Sequence, residues 1–336
     1  MPGPVLLGVI VAGAGLVSCL GTRALIPLLR RAAVLDRPNE RSLHAAPTPR
    51  GGGIAVVAAI LLAWLALIIA GPAPPRLLVV VLGALLIAAV SWLDDLRGLP
   101  PAARLLTQLV AVAVGMLALM PAGPVFQGWL TPTLDALAAV LLWLWFVNLF
   151  NFMDGIDGIA GSEAASIAVG LLTFAWVGVG HDPSLAALAA VVGAAALGFL
   201  VWNWAPARIF LGDVGSVPLG YLLGFLLLGL AASGMWKLAL ILPLYFLADA
   251  TLTLLRRLAR LERVWQAHRQ HFYQRAVQRG LGHAAVVRRV IAANLLLIGC
   301  AWTAENGWGV AALAAAAVVV AVLLAGLAGG IRRKPA

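Results

Sequence analysis

"ALAAVLLWLWFVNLFNFMDGIDGIAGSEAASIAVGLLTFAWVGVG", residues 136–180, reads apolar, then polar, then apolar again. With its flanks, each apolar run approaches the roughly 20 residues that a helix needs to cross a bilayer. The polar insert therefore lies at a membrane surface, between two spans. It carries Asn148, Asn151, Asp154 and Asp157 at intervals of three, and no Lys or Arg lies between 148 and 163. If the first span stays helical this far, neighbouring members of the series share a face. Two aspartates without a local cation exceed what a helix cap requires, and carboxylates at a bilayer face mark a functional site.

The same alternation recurs along the chain. Apolar segments fall near 4–22, 52–70, 77–93, 105–120, 134–150, 164–180, 185–202, 216–233, 237–254, 285–301 and 308–330. The predicted fold is all-α: one polytopic membrane domain over 1–336, with about eleven transmembrane helices. Composition agrees. The 336 residues are 63% hydrophobic and 11% charged, against about 25% charged in soluble domains. The short alternating segments of a β-barrel are absent from the sequence. Cys19 and Cys300 both lie in apolar runs, so no disulfide framework is expected. "LVSC" (16–19) resembles a lipoprotein processing site, but no basic residue precedes it, and the segment is read as the first span.

Charge then sets the topology. Of 23 Lys and Arg, 21 fall in 23–50, 94–104, 203–216, 255–289 and 331–336, which share one face if eleven spans alternate. By the positive-inside rule that face is cytoplasmic and the N-terminus is outside. The net charge of +10 is thus a topological signal, and nucleic-acid binding is not needed to explain it. The opposite loops are short and nearly free of charge, so chemistry is expected at the cytoplasmic face.

Four further polar stretches lie on that face. In "RSLHAAPTPRGGGIAV" (41–56), His44 and Arg50 add positive charge, and three glycines open a span. Glycine lets backbone approach a ligand, and free N–H groups at a helix start suit phosphate; a flexible basic surface loop explains the same residues. In "SWLDDLRGLPP" (91–101), Asp94 and Asp95 repel one another and call for a cation or a shared proton. Magnesium suits them, since it takes one or two carboxylates plus substrate phosphates; a helix cap paired with Arg97 or Arg104 is the alternative. In "FLGDVGS" (210–216), Asp213 stands between two glycines before a span, as an N-cap or a metal ligand. In "RRLARLERVWQAHRQHFYQ" (256–274), an amphipathic interfacial helix is expected first, then a polar cluster with Arg269 and His271.

Taken in order, "RSLHAAPTPRGGG", "DDLRG", "NLFNFMDGIDGIAG", "FLGDVGS" and "HRQHFYQ" resemble the polyprenyl-phosphate N-acetylhexosamine-1-phosphate transferases. The resemblance runs from about 41 to 275. It implies that undecaprenyl phosphate attacks the β-phosphorus of a UDP-N-acetylhexosamine, giving undecaprenyl-diphosphate-sugar and UMP. It implies Mg2+, with Mn2+ as an alternative. It also implies residue roles: Asp94, Asp95, Asp154 and Asp157 catalytic; His44, Arg50, Asn148, Asn151, Arg269 and His271 substrate-binding; Asp213 and Asp154 at the metal. It assigns no base. The location implied is a bacterial inner membrane, with the lipid bilayer as surroundings and a homodimer allowed. Several family members carry "HxHH" where this chain has "HFYQ", so that Tyr273 and Gln274 replace two histidines. With "MDGIDGIAGSEA" (153–164), this is more similar to the O-antigen-initiating subgroup that uses deoxygenated sugars. N-acetylglucosamine-1-phosphate transfer and phospho-MurNAc-pentapeptide translocation are the alternatives within the superfamily. A secondary transporter is the alternative of another class; it would need ionisable groups near the midplane and an internal repeat. Only Asp249 lies away from a span end, and no repeat is evident.

Overall fold

A computed structural model describes residues 3–38, 43–44, 46–177, 182–263, 266 and 268–329. The chain is an all-α polytopic membrane protein. Its helices are α1 (Pro4–Arg31), α2 (Gly53–Ile69), α3 (Leu78–Arg97), α4 (Pro101–Leu119), α5 (Pro132–Phe152), α6 (Ile159–Val177) and α7 (Pro183–Asn203). They continue as α8 (Asp213–Leu230), α9 (Trp236–Ile241), α10 (Leu244–Ala259), α11 (Phe272–Gln278), α12 (His283–Thr303) and α13 (Gly309–Ala328). Over their described residues the predicted apolar segments are helical, with the ninth divided between two helices. Among the described residues, seven stretches are long and apolar enough to cross a membrane, and α2 and most of α6 form shorter apolar helices. The last of the seven runs from His283 to Ala328 and is broken at Gly307, whose φ of 90° separates α12 from α13.

Proline opens α1, α4, α5 and α7, where its missing N–H has no intrahelical partner to lose. The predicted ninth segment is not one helix. A turn with Gly234 at φ 99° precedes α9, and Pro243 separates α9 from α10. The expected amphipathic helix also ends sooner, at Ala259. There the buried guanidinium of Arg257 turns to Glu262 and to backbone oxygens of 263 and 266; residues 264, 265 and 267 of the expected helix lie outside the described residues.

The core is built around α8. Every residue from Val214 to Leu228 is buried, with α2, α3, α5 and α6 packed against it. A helix that is apolar on all sides belongs inside a bundle. Small residues allow the close approach that membrane packing relies on. A Cβ on Gly215 would stand 2.6 Å from the Gly53 Cα of α2. Tyr221 donates to the Ala111 carbonyl at 3.1 Å, and its hydroxyl fills the space over Gly83 and Gly115. Trp143 stacks on Tyr221 and donates to the Tyr221 carbonyl at 2.9 Å. These contacts fix α3, α4 and α5 around α8, and the ends of the same helices carry the candidate site.

Candidate active site

The glycine tract joins two distant loops. Strand β1 (Leu35–Asp36) pairs antiparallel with β2 (Thr48–Pro49), and the chain then bridges to 210–211. Gly51 and Gly52 donate to the Phe210 carbonyl, and Gly53 to that of Leu211, at 2.8–3.2 Å. The expectation that these N–H groups are free for phosphate is therefore corrected. Phe199 and Gly215 crowd Gly52 and Gly53, so the glycines serve the approach of α2 to α8.

This bridge carries Arg50 into the centre of the acidic cluster. Its Nη2 lies 2.7 Å from Asp95, at the end of α3, and 2.6 Å from Asp213, the first residue of α8. The Asp95 side chain is fully buried and also accepts from the Asp213 and Val214 N–H groups. It caps α8 and seats Arg50. Asp94 takes the capping alternative: it accepts from Leu99 N at 2.6 Å and pairs with Arg104 at 2.9 Å. Arg104 also stands 3.9 Å from Asp213.

The opening motif does not form one helical face. Helix α5 ends at Phe152, so only Asn148 and Asn151 lie on it, while Asp154 and Asp157 lie in the following loop. Asn148 bonds Gln108 of α4 and Asn151 bonds Ser216 of α8, each at 2.8 Å. Among the described residues the Asp154 carboxylate has no hydrogen bond. Burial, with Asp213 nearby, pushes it up to about 7 despite the opposing pull of Arg50. Asp157 goes the other way. Burial disfavours its charge, but the His283 side chain and the Ala207 N–H outweigh that and hold it below the usual carboxylate range.

His44, Arg50, Asn151, Asp154, Asp157 and Asp213 line one cavity of about 320 Å3, joined by Gln274 and His283. A second cavity of about 210 Å3 adjoins it. Asn151 and Asp213 belong to both, and Asp94, Arg104, Gln108 and Asn148 form the polar wall of the second. Ile87, Val90, Leu105 and Val217 form its apolar wall.

Three predicted residues lie off these walls. Asp95 sits beneath Arg50, Arg269 is exposed just before α11, and His271 is buried at the start of α11. His271 faces Asp249 through Nδ1 at 3.2 Å, which ties the start of α11 to α10. Asp249 also accepts from Tyr245, Thr253 and the N–H groups of Phe272 and Tyr273, which fixes α11.

Among the described residues, no three His, Cys, Asp or Glu side chains gather as a metal cage. Magnesium does not need one, since one or two carboxylates suffice when phosphate oxygens complete the shell. Asp213 and Asp154 on one wall, the latter without a hydrogen-bond donor, fit that donor set.

A model of glycosyl transferase family 4 matches residues 77–231. A Bacillus subtilis (strain 168) protein described as a probable undecaprenyl-phosphate N-acetylglucosaminyl 1-phosphate transferase is 31% identical over 285 residues, spanning 80% of this chain and 77% of that protein. The chain belongs to glycosyl transferase family 4. Two phospho-N-acetylmuramoyl-pentapeptide-transferases are also similar. That of Thermosynechococcus vestitus is 33% identical over 69% of this chain and 65% of its own length. That of Mycolicibacterium vanbaalenii is 33% identical over 63% of this chain and 71% of its own.

The family-4 match contains Asp94, Asp95, Asn148 through Asp157 and Asp213, while Arg50, Gln274 and His283 come to the same cavity from outside it. Sequence reasoning missed His283, which the fold brings from 126 positions away. The one signal available was its place at a helix start directly after a Gly-Leu-Gly turn.

Proposed function

We propose that this family-4 protein transfers N-acetylhexosamine-1-phosphate from a UDP-sugar to undecaprenyl phosphate at the cytoplasmic face of a bacterial inner membrane. The observation that carries the proposal is the pair of cavities meeting at Asn151 and Asp213. The larger is polar and holds both signs of charge, which suits a nucleotide diphosphate-sugar. The smaller sets Arg104 against an apolar wall beside the exposed Leu105 and Phe152, which suits a phosphate with a hydrocarbon tail.

In the reaction, an oxygen of the lipid phosphate bonds to the β-phosphorus. The bond from that phosphorus to the bridging oxygen breaks, and the oxygen leaves on UMP. A phosphate monoester already carries one to two negative charges at neutral pH, so catalysis is mainly positioning and neutralisation of charge. Arg50 and Arg104 supply fixed positive charge on either side of Asp213, each with N–H donors beyond those used by the carboxylates. Asn151, tied to Ser216, holds the wall between the cavities. Magnesium held by Asp213 and Asp154 would neutralise charge on the transferring phosphoryl group. The concentration of basic residues at this end supports the cytoplasmic orientation.

Two donors are favoured by different observations. The Bacillus subtilis relative favours N-acetylglucosamine. Gln274 in place of a family histidine favours a deoxygenated sugar of O-antigen initiation, and it reaches the cavity. Tyr273 bears less on the sugar, because its hydroxyl is spent on the Phe152 carbonyl at 3.1 Å. The test is lipid-linked product formation by purified protein with a panel of UDP-N-acetyl sugars, with magnesium or chelator, beside Asp213→Asn. Product from one donor, lost with chelator and in the variant, is expected. Full activity of Asp213→Asn would overturn the metal assignment.

A further inference from the structure

The N-terminus of α12 brings an imidazole to the cavity that neither the family motifs nor the cluster around Arg50 accounts for. His283 is the first residue of α12, and its Nδ1 lies 3.2 Å from Asp157 Oδ1. The Asp157 N–H also approaches Nδ1, at 3.4 Å. A ring nitrogen cannot serve both in the neutral imidazole. The carboxylate is the closer group and the charged one, so Nδ1–H donates to Oδ1. The second oxygen, Oδ2, accepts from the Ala207 N–H at 3.0 Å. Both oxygens of Asp157 are therefore held from outside its own loop, while each keeps a lone pair for the cavity that Asp157 and His283 line together.

The hold is continued along α12. Asn294 stands eleven residues after His283, three helical turns on and so on the same face. It donates to Glu163 of α6 at 2.7 Å, with both residues buried. One face of α12 thus ties the 153–158 loop at one level and the following helix at the next. Nothing local fixes Asp157 in this way, because the loop 153–158 contains no donor side chain that reaches it.

We propose that His283 is a positioning residue for the donor nucleotide-sugar, acting through Nδ1 to orient the Asp157 carboxylate toward hydroxyl or N–H groups of the bound UDP-sugar. This rests on the functional reading above. A hydrogen bond between His283 and a carboxylate that must meet the ligand in one orientation is worth about tenfold or more in affinity.

The test uses the full-length protein in detergent, with UDP-N-acetylglucosamine binding measured by calorimetry and without lipid acceptor. His283→Asn places an amide N–H where Nδ1 stands. His283→Gln reaches instead to the place of Nε2, and His283→Ala removes both. The expected result is that Ala and Gln weaken binding at least about tenfold while Asn recovers most of the loss. Thermal unfolding of the three variants separates lost binding from lost fold, and Gln, similar in volume to His, serves if Ala does not fold. Wild-type binding with all variants unaffected overturns the inference alone. So does an Asn variant as weak as Ala, because the role then does not lie at Nδ1. A folded wild-type protein that binds no UDP-sugar overturns the functional reading and this inference with it.

Discussion

Replacing Arg50 by methionine removes the guanidinium that stands between Asp95 and Asp213. Its Nη2 is within 2.7 Å of both carboxylates, and the Asp95 side chain has no exposed surface. Breaking a buried ion pair by deleting one partner costs about 3–5 kcal/mol, because the other charge is left uncompensated. Two features reduce that figure here. The Arg50 side chain is 34% exposed, so solvent screens part of the interaction. Asp95 also keeps the N–H groups of Asp213 and Val214. The expected loss is about 2–3 kcal/mol, a fall in Tm on the order of 5 °C. The assay is thermal unfolding in detergent micelles of Arg50→Met, Asp95→Asn and the double variant. Neutralising Asp95 removes the charge that Arg50 compensates, so the double variant loses less than the sum of the singles, by about 1–2 kcal/mol. An Arg50→Met protein within about 1 °C of wild type, or strictly additive variants, would refute the reasoning.

Two more predictions follow from the same geometry. Asp154 binds its proton more tightly in the folded state, about 7 against an ordinary 3.8; its contribution to stability is full below about pH 4 and is lost as pH rises through 7. Up to about 4 kcal/mol is at stake, less for the part of the group that faces the cavity, so Asp154→Asn should flatten the fall in Tm between about pH 4 and 7, and parallel profiles would contradict the assignment. Gly215→Ala drives a Cβ to 2.6 Å from the Gly53 backbone and should cost about 1–3 kcal/mol. Gly299→Ala, which meets nothing within 4 Å, should be neutral; equal Tm values for the two would show that α2 and α8 do not need this approach.

The sequence was most legible where physics is local. Apolar run length placed the long apolar helices, because a bilayer sets one scale for all of them, but not the break between α9 and α10 or the short α11. Paired acids at span ends placed Asp94, Asp95, Asp154, Asp157 and Asp213 at one end of the bundle, and the fold brings them to one cluster. What the sequence hid was pairing. Gly51 to Gly53 look free until Phe210 and Leu211 take their N–H groups. The sequence does not show that His271 meets Asp249, 22 residues earlier. His283 looks like an ordinary helix start until Asp157 meets it. The three-residue spacing of Asn148 to Asp157 also overstated the helix, since Gly155 and Gly158 release the chain after Phe152. In the three pairings the deciding partner lies well away along the chain, where no periodicity carries its signature.

The central claim is transfer of sugar-1-phosphate, and not of sugar alone, at the junction of the two cavities. The most direct measurement is the identity of the nucleotide released when purified protein turns over its UDP-sugar with undecaprenyl phosphate. Attack at the β-phosphorus releases UMP and leaves two phosphates on the lipid product, and this account predicts UMP in equal amount with lipid diphosphate-sugar. Release of UDP, with a single phosphate between lipid and sugar, would contradict it.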